Sequence, residues 1–168
     1  MKSFGTIPFP PRCCIALVMG LIALAMPSSL LSTAGGAQSP GSQDRESVQV
    51  LLSIAESQYE IVKLLIKQQR FDRVLPEMKK IFELKLPNRY EQAVAESASL
   101  VARLLVENSQ FEPAHDVLNE ALARMTDDRN KAALLKIQAL VYKEEGRIQE
   151  AMDVLERAIA IEKRLIRP

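Results

Sequence analysis

From residue 44 onward, apolar positions recur every three or four residues, in runs separated by short polar breaks, which is the spacing of amphipathic helices. Residues 45–69 carry Val48, Leu51, Leu52, Ala55, Tyr59, Val62, Leu65 and Ile66 on one broad face, behind Asp44 or Ser42 as N-cap. A second helix is predicted from Phe71, with Val74, Leu75, Met78, Ile81 and Phe82 inward. Pro76 lies in its first turn, where a missing N–H costs little. Leu86-Pro87 ends that helix. Asn88, followed three residues on by Glu91, has the pattern of a capping box. It predicts a third helix, with Val94, Ala98, Val101, Ala102, Leu105 and Val106 as its stripe. Pro113 opens a fourth, which buries Ala114, Val117, Leu118, Ala121 and Leu122. Asp127 or Asp128 caps a fifth over 129–145, and a sixth spans 148–166. The fifth presents Leu135, Ile137, Ala139, Leu140 and Tyr142; the sixth presents Ile148, Ala151, Met152, Leu155, Ala158, Ile159 and Ile161. Between them stands Gly146, the sole glycine after Gly41, which can take the left-handed conformation that stops a helix. No apolar/polar alternation persists, so no strand is predicted. The expected fold is all-α.

The even-numbered helices repeat one another. Gln69-Arg70-Phe71-Asp72-Arg73-Val74, Ser109-Gln110-Phe111-Glu112-Pro113-Ala114 and Gly146-Arg147-Ile148-Gln149-Glu150-Ala151 share a pattern in which an apolar residue opens the helix and a small or β-branched one follows three later. Leu118 and Leu155 come four residues further on, Ala121 and Ala158 seven. Val74 to Ala114 is 40 residues and Ala114 to Ala151 is 37. On these residues the chain resembles the tetratricopeptide repeat (TPR) family, whose unit is about 34 residues folded as two antiparallel helices. Ala139, Tyr142, Gly146, Ala151 and Ala158 stand at that family's preferred positions in the third unit, and Ala102, Phe111, Ala114 and Ala121 in the second. The first unit is degenerate, with Val62, Val74 and Ile81 where small residues belong. The family's tryptophan is missing, as is its closing proline apart from Pro87. The resemblance implies antiparallel hairpins stacked as a short right-handed solenoid, with first helices lining a concave face that receives a peptide or partner. Related helical-hairpin repeats with longer spacings remain an alternative.

The N-terminal third has a different character. Lys2 and Arg12 precede an apolar run over residues 13–26, Pro27-Ser28-Ser29 breaks it, and small residues follow over 32–37. That is the layout of a secretory signal peptide. Cleavage after Ala37 or Ala34 would deliver an exported protein, periplasmic or extracellular, in which residues 1–37 are lost, 38–43 form a polar linker and 44–168 form the repeat domain. The alternative is retention of residues 13–31 as a membrane anchor, although the apolar run is short of the ~20 residues that span a bilayer. Cys13 and Cys14, the only cysteines, lie in this segment, so the mature chain is expected to have neither disulfide nor thiol chemistry.

Charge in sum distinguishes little: 22 basic residues face 21 acidic ones, and loss of Lys2 and Arg12 leaves the balance near zero. No basic cluster is interleaved with aromatics, so a nucleic-acid partner is not expected. Projected onto the concave face, the first helices bring forward Tyr59, Lys63, Ile66 and Lys67; then Ser99, Arg103 and Val106; then Lys136, Leu140 and Lys143. The cations among them, Lys63, Lys67, Arg103, Lys136 and Lys143, would favour a carboxylate-rich or C-terminal peptide. The competing reading is a solvated face balanced by nearby glutamates. His115, the lone histidine, is expected to be an exposed helix residue and cannot build a zinc set without companions. Asp127-Asp128 and Glu144-Glu145 are adjacent on helices and so diverge. With no phosphate loop, nucleophile–base pair or metal spacing, neither enzyme activity nor a cofactor is expected. The expected role is non-catalytic protein binding, with self-association through the apolar end of the last helix, an anchored accessory subunit, or an enzyme site completed by a partner as alternatives.

Overall fold

Six α-helices, and no strand among the described residues, realise the periodicity of the sequence. The structure, a computed structural model, describes residues 40–166; the leader, its apolar run and both cysteines lie outside them. Helices α1 (Pro40–Lys67), α2 (Val74–Glu83), α3 (Glu91–Glu107), α4 (Phe111–Arg124), α5 (Asp128–Glu144) and α6 (Ile148–Ile166) pair as successive antiparallel hairpins. Within pairs, α1 packs on α2, α3 on α4 and α5 on α6; between pairs, α3 lies against α1, α4 against α2, and α5 against both α3 and α4.

One device ends every first helix. Gln69, Ser109 and Gly146 have φ of 58°, 59° and 86°, and they are the only described residues with positive φ. At each, the N–H of that residue bonds the carbonyl three back and the next N–H bonds the carbonyl five back: Gln69 to Ile66 and Arg70 to Leu65, Ser109 to Val106 and Gln110 to Leu105, Gly146 to Lys143 and Arg147 to Tyr142, all at 2.8–3.0 Å. This is the Schellman closure, which satisfies the last carbonyls of the helix. Two of the three turns place a side chain where glycine is favoured. We therefore expect Gln69→Gly and Ser109→Gly each to raise stability by about 0.5–1 kcal/mol, since the left-handed conformation costs an L-residue roughly 1–2 kcal/mol and glycine's extra unfolded-state freedom returns part of it. Gly146→Val should lower stability by a similar ~1–2 kcal/mol. No heavy atom lies within 4 Å of a Cβ built there, so that cost is one of backbone conformation alone. Thermal melting of the three variants checks both signs.

Alanines line the seams. Ala98, Ala102, Ala114, Ala121 and Ala158 are wholly buried, and Ala139 and Ala151 nearly so, which lets helix axes approach closely around fully buried Val62, Met78, Leu105, Leu118 and Leu134. Buried polar groups are paired between helices: Glu77 of α2 accepts from Gln58 of α1 and from Lys80, and Gln138 of α5 donates to Asn119 of α4 at 2.7 Å.

Several expectations are corrected. Helix α1 opens at Pro40 and takes in residues 40–43, read above as linker; proline fits a helix's first turn. A 3-10 turn over Phe71–Arg73 precedes α2, which ends at Glu83 rather than at Leu86-Pro87. The capping box at Asn88 does not form. Asn88–Tyr90 is a 3-10 turn without a side-chain cap, because the Glu91 carboxylate is engaged elsewhere. Asp127 does cap α5, accepting from the Arg129 N–H at 2.6 Å. In α6 the stripe divides: Ala151, Val154 and Ala158 turn toward α5, while Ile148, Met152, Leu155 and Ile159 stay exposed. One partner helix cannot cover so wide a face. His115 is not an exposed residue. Its side chain is 13% exposed, pairs with Glu145 at 3.2 Å and sits 4.2 Å from the Tyr142 ring, tying α4 to the end of α5.

Candidate functional site

Helix α3 contacts both α1 and α5, and the side chains that these three first helices leave exposed are their open face. On α1, Lys63 is held by Glu60 at 2.5 Å and lies 5.1 Å from the centre of the Tyr59 ring. Tyr59 itself is half-buried against the main core. Burial raises its hydroxyl pKa, with Lys63 pulling the other way. Lys67 is exposed at the end of the helix, with no ion-pair or hydrogen-bond partner among the described residues.

On α3, Arg103 is likewise exposed and unpaired among the described residues. Ser99 donates to its own turn, to the Ala95 carbonyl at 2.8 Å, and Val106 leans into the core. On α5, Lys136 bridges to Glu162 of α6 at 2.5 Å, whereas Lys143 stands 3.9 Å from Glu144 and Leu140 borders the groove toward α6. The cations of the open face thus fall into two sets, Lys63, Lys136 and Lys143 with an acidic neighbour, Lys67 and Arg103 with none among the described residues. The structure adds Leu100, 52% exposed one turn from Arg103. Leu100 lies opposite the α3 stripe, and as one apolar residue on a polar face it breaks the periodicity rather than extending it. That was the only sign of it in the sequence.

Two hollows flank this face. A groove of about 660 Å³ runs between the N-terminal halves of α3 and α5, lined among others by Gln92, Glu96, Ser99, Arg129 and Ala133. Its floor is organised by Glu91. The carboxylate accepts from the Thr126 N–H at 3.0 Å, the Thr126 hydroxyl at 2.5 Å, the Asp127 N–H at 2.8 Å and the Asn130 amide at 3.2 Å. Burial works against its charge, yet these donors outweigh burial and hold the carboxyl down to about 2. The charges around this groove, Arg89, Glu91, Glu96, Asp127 and Arg129, are of both signs. A second groove of about 440 Å³ lies between α5 and α6, between Leu140 on one wall and Ile148, Met152 and Leu155 on the other.

Among the described residues no group of three or more His, Cys, Asp and Glu converges as a metal site, and no helix is long and apolar enough to cross a membrane. What the face offers a ligand is free cationic donors, a scattered apolar foothold and two grooves. In comparison with known proteins, no family model and no curated protein sequence matches this chain. The class defined by its own coordinates is an all-α protein of six packed helices.

Proposed function

We propose that this chain is a non-catalytic interaction protein, a short right-handed stack of three TPR-like hairpins that receives a carboxylate-rich peptide or protein segment on the open face of α1, α3 and α5. It works outside the cytoplasm once its leader is removed. Most support comes from Arg103 and Lys67, cationic side chains on first helices with no counter-charge engaged among the described residues. Arg103 also has Leu100 beside it as an apolar anchor. Guanidinium groups take carboxylates bidentately, and a cation left unpaired on a folded surface has no internal contact to give up on binding. The recurrence of the same turn at Gln69, Ser109 and Gly146 supports the repeat reading.

The test is calorimetric titration with an acidic peptide ending in a free carboxylate. Arg103→Glu combined with Lys67→Glu should weaken binding about tenfold, each reversal costing roughly the energy of one exposed ion pair. The circular dichroism spectrum should not change. Unaltered affinity would remove the open face from the account. Export is tested separately by the mass of the mature chain, which should lack the residues up to Ala37.

A further inference from the structure

The two ends of the stack carry apolar stripes that no described helix covers. On α1 these are Val50, Ile54, Ile61 and Leu64, 43–55% exposed; on α6 they are Ile148, Met152, Leu155 and Ile159, 41–55% exposed. The left-handed turns fix the register between hairpins, 40 residues from Gln69 to Ser109 and 37 from Ser109 to Gly146. In that register the α1 stripe corresponds to Tyr90, the residue before α3, and to Val94, Val101 and Leu104 within it. That is the flank of α3 turned to the preceding pair: Tyr90 and Val94 face Leu52 and Tyr59, and Val101 is wholly buried. In the same register α5 carries Asp127, Lys131, Gln138 and Val141, of which Gln138 and Val141 are buried, Val141 within the main core. So α1 displays the surface by which a first helix docks on a hairpin before it.

The α6 stripe is the other half of the same junction. Ile148, Met152, Leu155 and Ile159 correspond to Phe111, His115, Leu118 and Leu122 of α4. On α4, Leu118 is wholly buried and the His115 ring lies on Tyr142 of α5. On the partner helix, Lys136, Leu140 and Lys143 of α5 hold the places of Ser99, Arg103 and Val106 of α3. Ser99 borders α5 in the α3–α5 groove. The α5–α6 groove is therefore built like the seat that α3 and α4 provide for α5.

We propose that α1 of a second copy of this chain occupies this groove, so that protomers join head to tail. Charge agrees with the register. Glu56 of an incoming α1 takes the place of Ala133 of α5, which lines the α3–α5 groove, and so comes to a rim that carries Lys136 and Lys143. Those lysines already have exposed partners, Lys136 in Glu162 and Lys143 in Glu144, so the charges set orientation while the apolar stripes supply the attraction. The contact is heterologous: each protomer offers one seat and one stripe, and joining two leaves one of each free for a third. This inference rests on the stacked-hairpin reading and not on peptide binding at the open face.

The test uses the full chain and two surface variants, Ile54→Glu with Ile61→Glu, and Met152→Glu with Leu155→Glu, each checked for native helicity and melting. By size-exclusion chromatography with light scattering, the unaltered chain should gain mass steadily with concentration up to about 1 mM, the weak end of specific association. Each variant alone should remain a monomer. Mixed one to one, the variants should form a species of twice the protomer mass and no larger, because one keeps its seat and the other its stripe. An α1 variant that still dimerises while the α6 variant does not would mean that α6 pairs with α6, and would overturn the proposal. A monomeric unaltered chain, or a mixture without dimer, would overturn it too. The peptide titration on Arg103 and Lys67, neither of which lines the α5–α6 groove, is read independently, so each reading can fail alone.

Discussion

Leucine in place of Ala158 should lower the melting temperature by roughly 10 °C, a cost of about 3 kcal/mol, whereas leucine at Ala151 should cost less than about 1 kcal/mol. Both alanines belong to the α5–α6 seam, and from periodicity alone they are equivalent. The coordinates separate them. Ala158 is wholly buried and packs with Leu135, Ala139 and Val154, so three added carbons have nowhere to go unless two helix backbones part. Ala151 lies at the wall of the open α5–α6 groove, and there the added carbons extend into the hollow. Melting followed by circular dichroism gives the comparison directly. Equal losses at the two sites would place the seam wrongly. The Ala151 variant has a second readout, because a groove narrowed by leucine should weaken head-to-tail association while the fold survives.

The six helices were legible because burial of one face imposes a 3.6-residue period that no other constraint disturbs. Gly146 was legible for a chemical reason, since only glycine takes a positive φ without a steric cost. The same conformation at Gln69 and Ser109 was not. There the hairpin's packing holds the turn against the preference of the residue, and a tertiary override leaves no trace in composition. The repeat register nevertheless places all three turns in line, so the alignment of the chain with itself carried information that single residues did not. Width of stripe was misjudged in α6. An apolar arc that serves two neighbours looks the same in sequence as one that serves one neighbour, and α6, which packs chiefly on α5, keeps half of its arc exposed. His115 was misread because its partner, Glu145, lies 30 residues away on another helix. On the open face, sequence could choose the residues but not their pairing. Whether Lys136 meets Glu162, or Arg103 meets no partner, depends on which helices are neighbours.

Glu91 marks the sharpest gap between local pattern and tertiary use, and it yields the second large effect. Glu91→Ala should destabilise the chain by about 2 kcal/mol, near the lower part of the range for several hydrogen bonds to one charged group, because the carboxylate is partly exposed and screened. The sequence places Glu91 three residues after Asn88, as if to cap its own helix. In the fold it crosses to the α4–α5 turn and gathers the N–H groups of Thr126 and Asp127, the Thr126 hydroxyl and the Asn130 amide. One side chain of α3 thereby holds the start of α5, where Asp127 makes the N-cap. The pH dependence follows in sign. Burial opposes the charge but the donors prevail, so the folded carboxyl titrates at about 2 against an ordinary value of 4.5. Its contribution is complete above pH 4.5 and fades as pH falls from there toward 2, as the folded carboxylate takes up its proton. Glu77, Glu120 and Glu150 are also depressed, chiefly by side-chain hydrogen bonds from Lys80, Arg124 and Arg147, so acid weakens the unaltered chain and the variant alike. The informative quantity is therefore the difference in melting temperature between the unaltered chain and Glu91→Gln. That difference should be constant from pH 7 to 5 and shrink below 4.5. A difference that stays constant down to pH 2.5 would show that the Glu91 charge does not hold the turn.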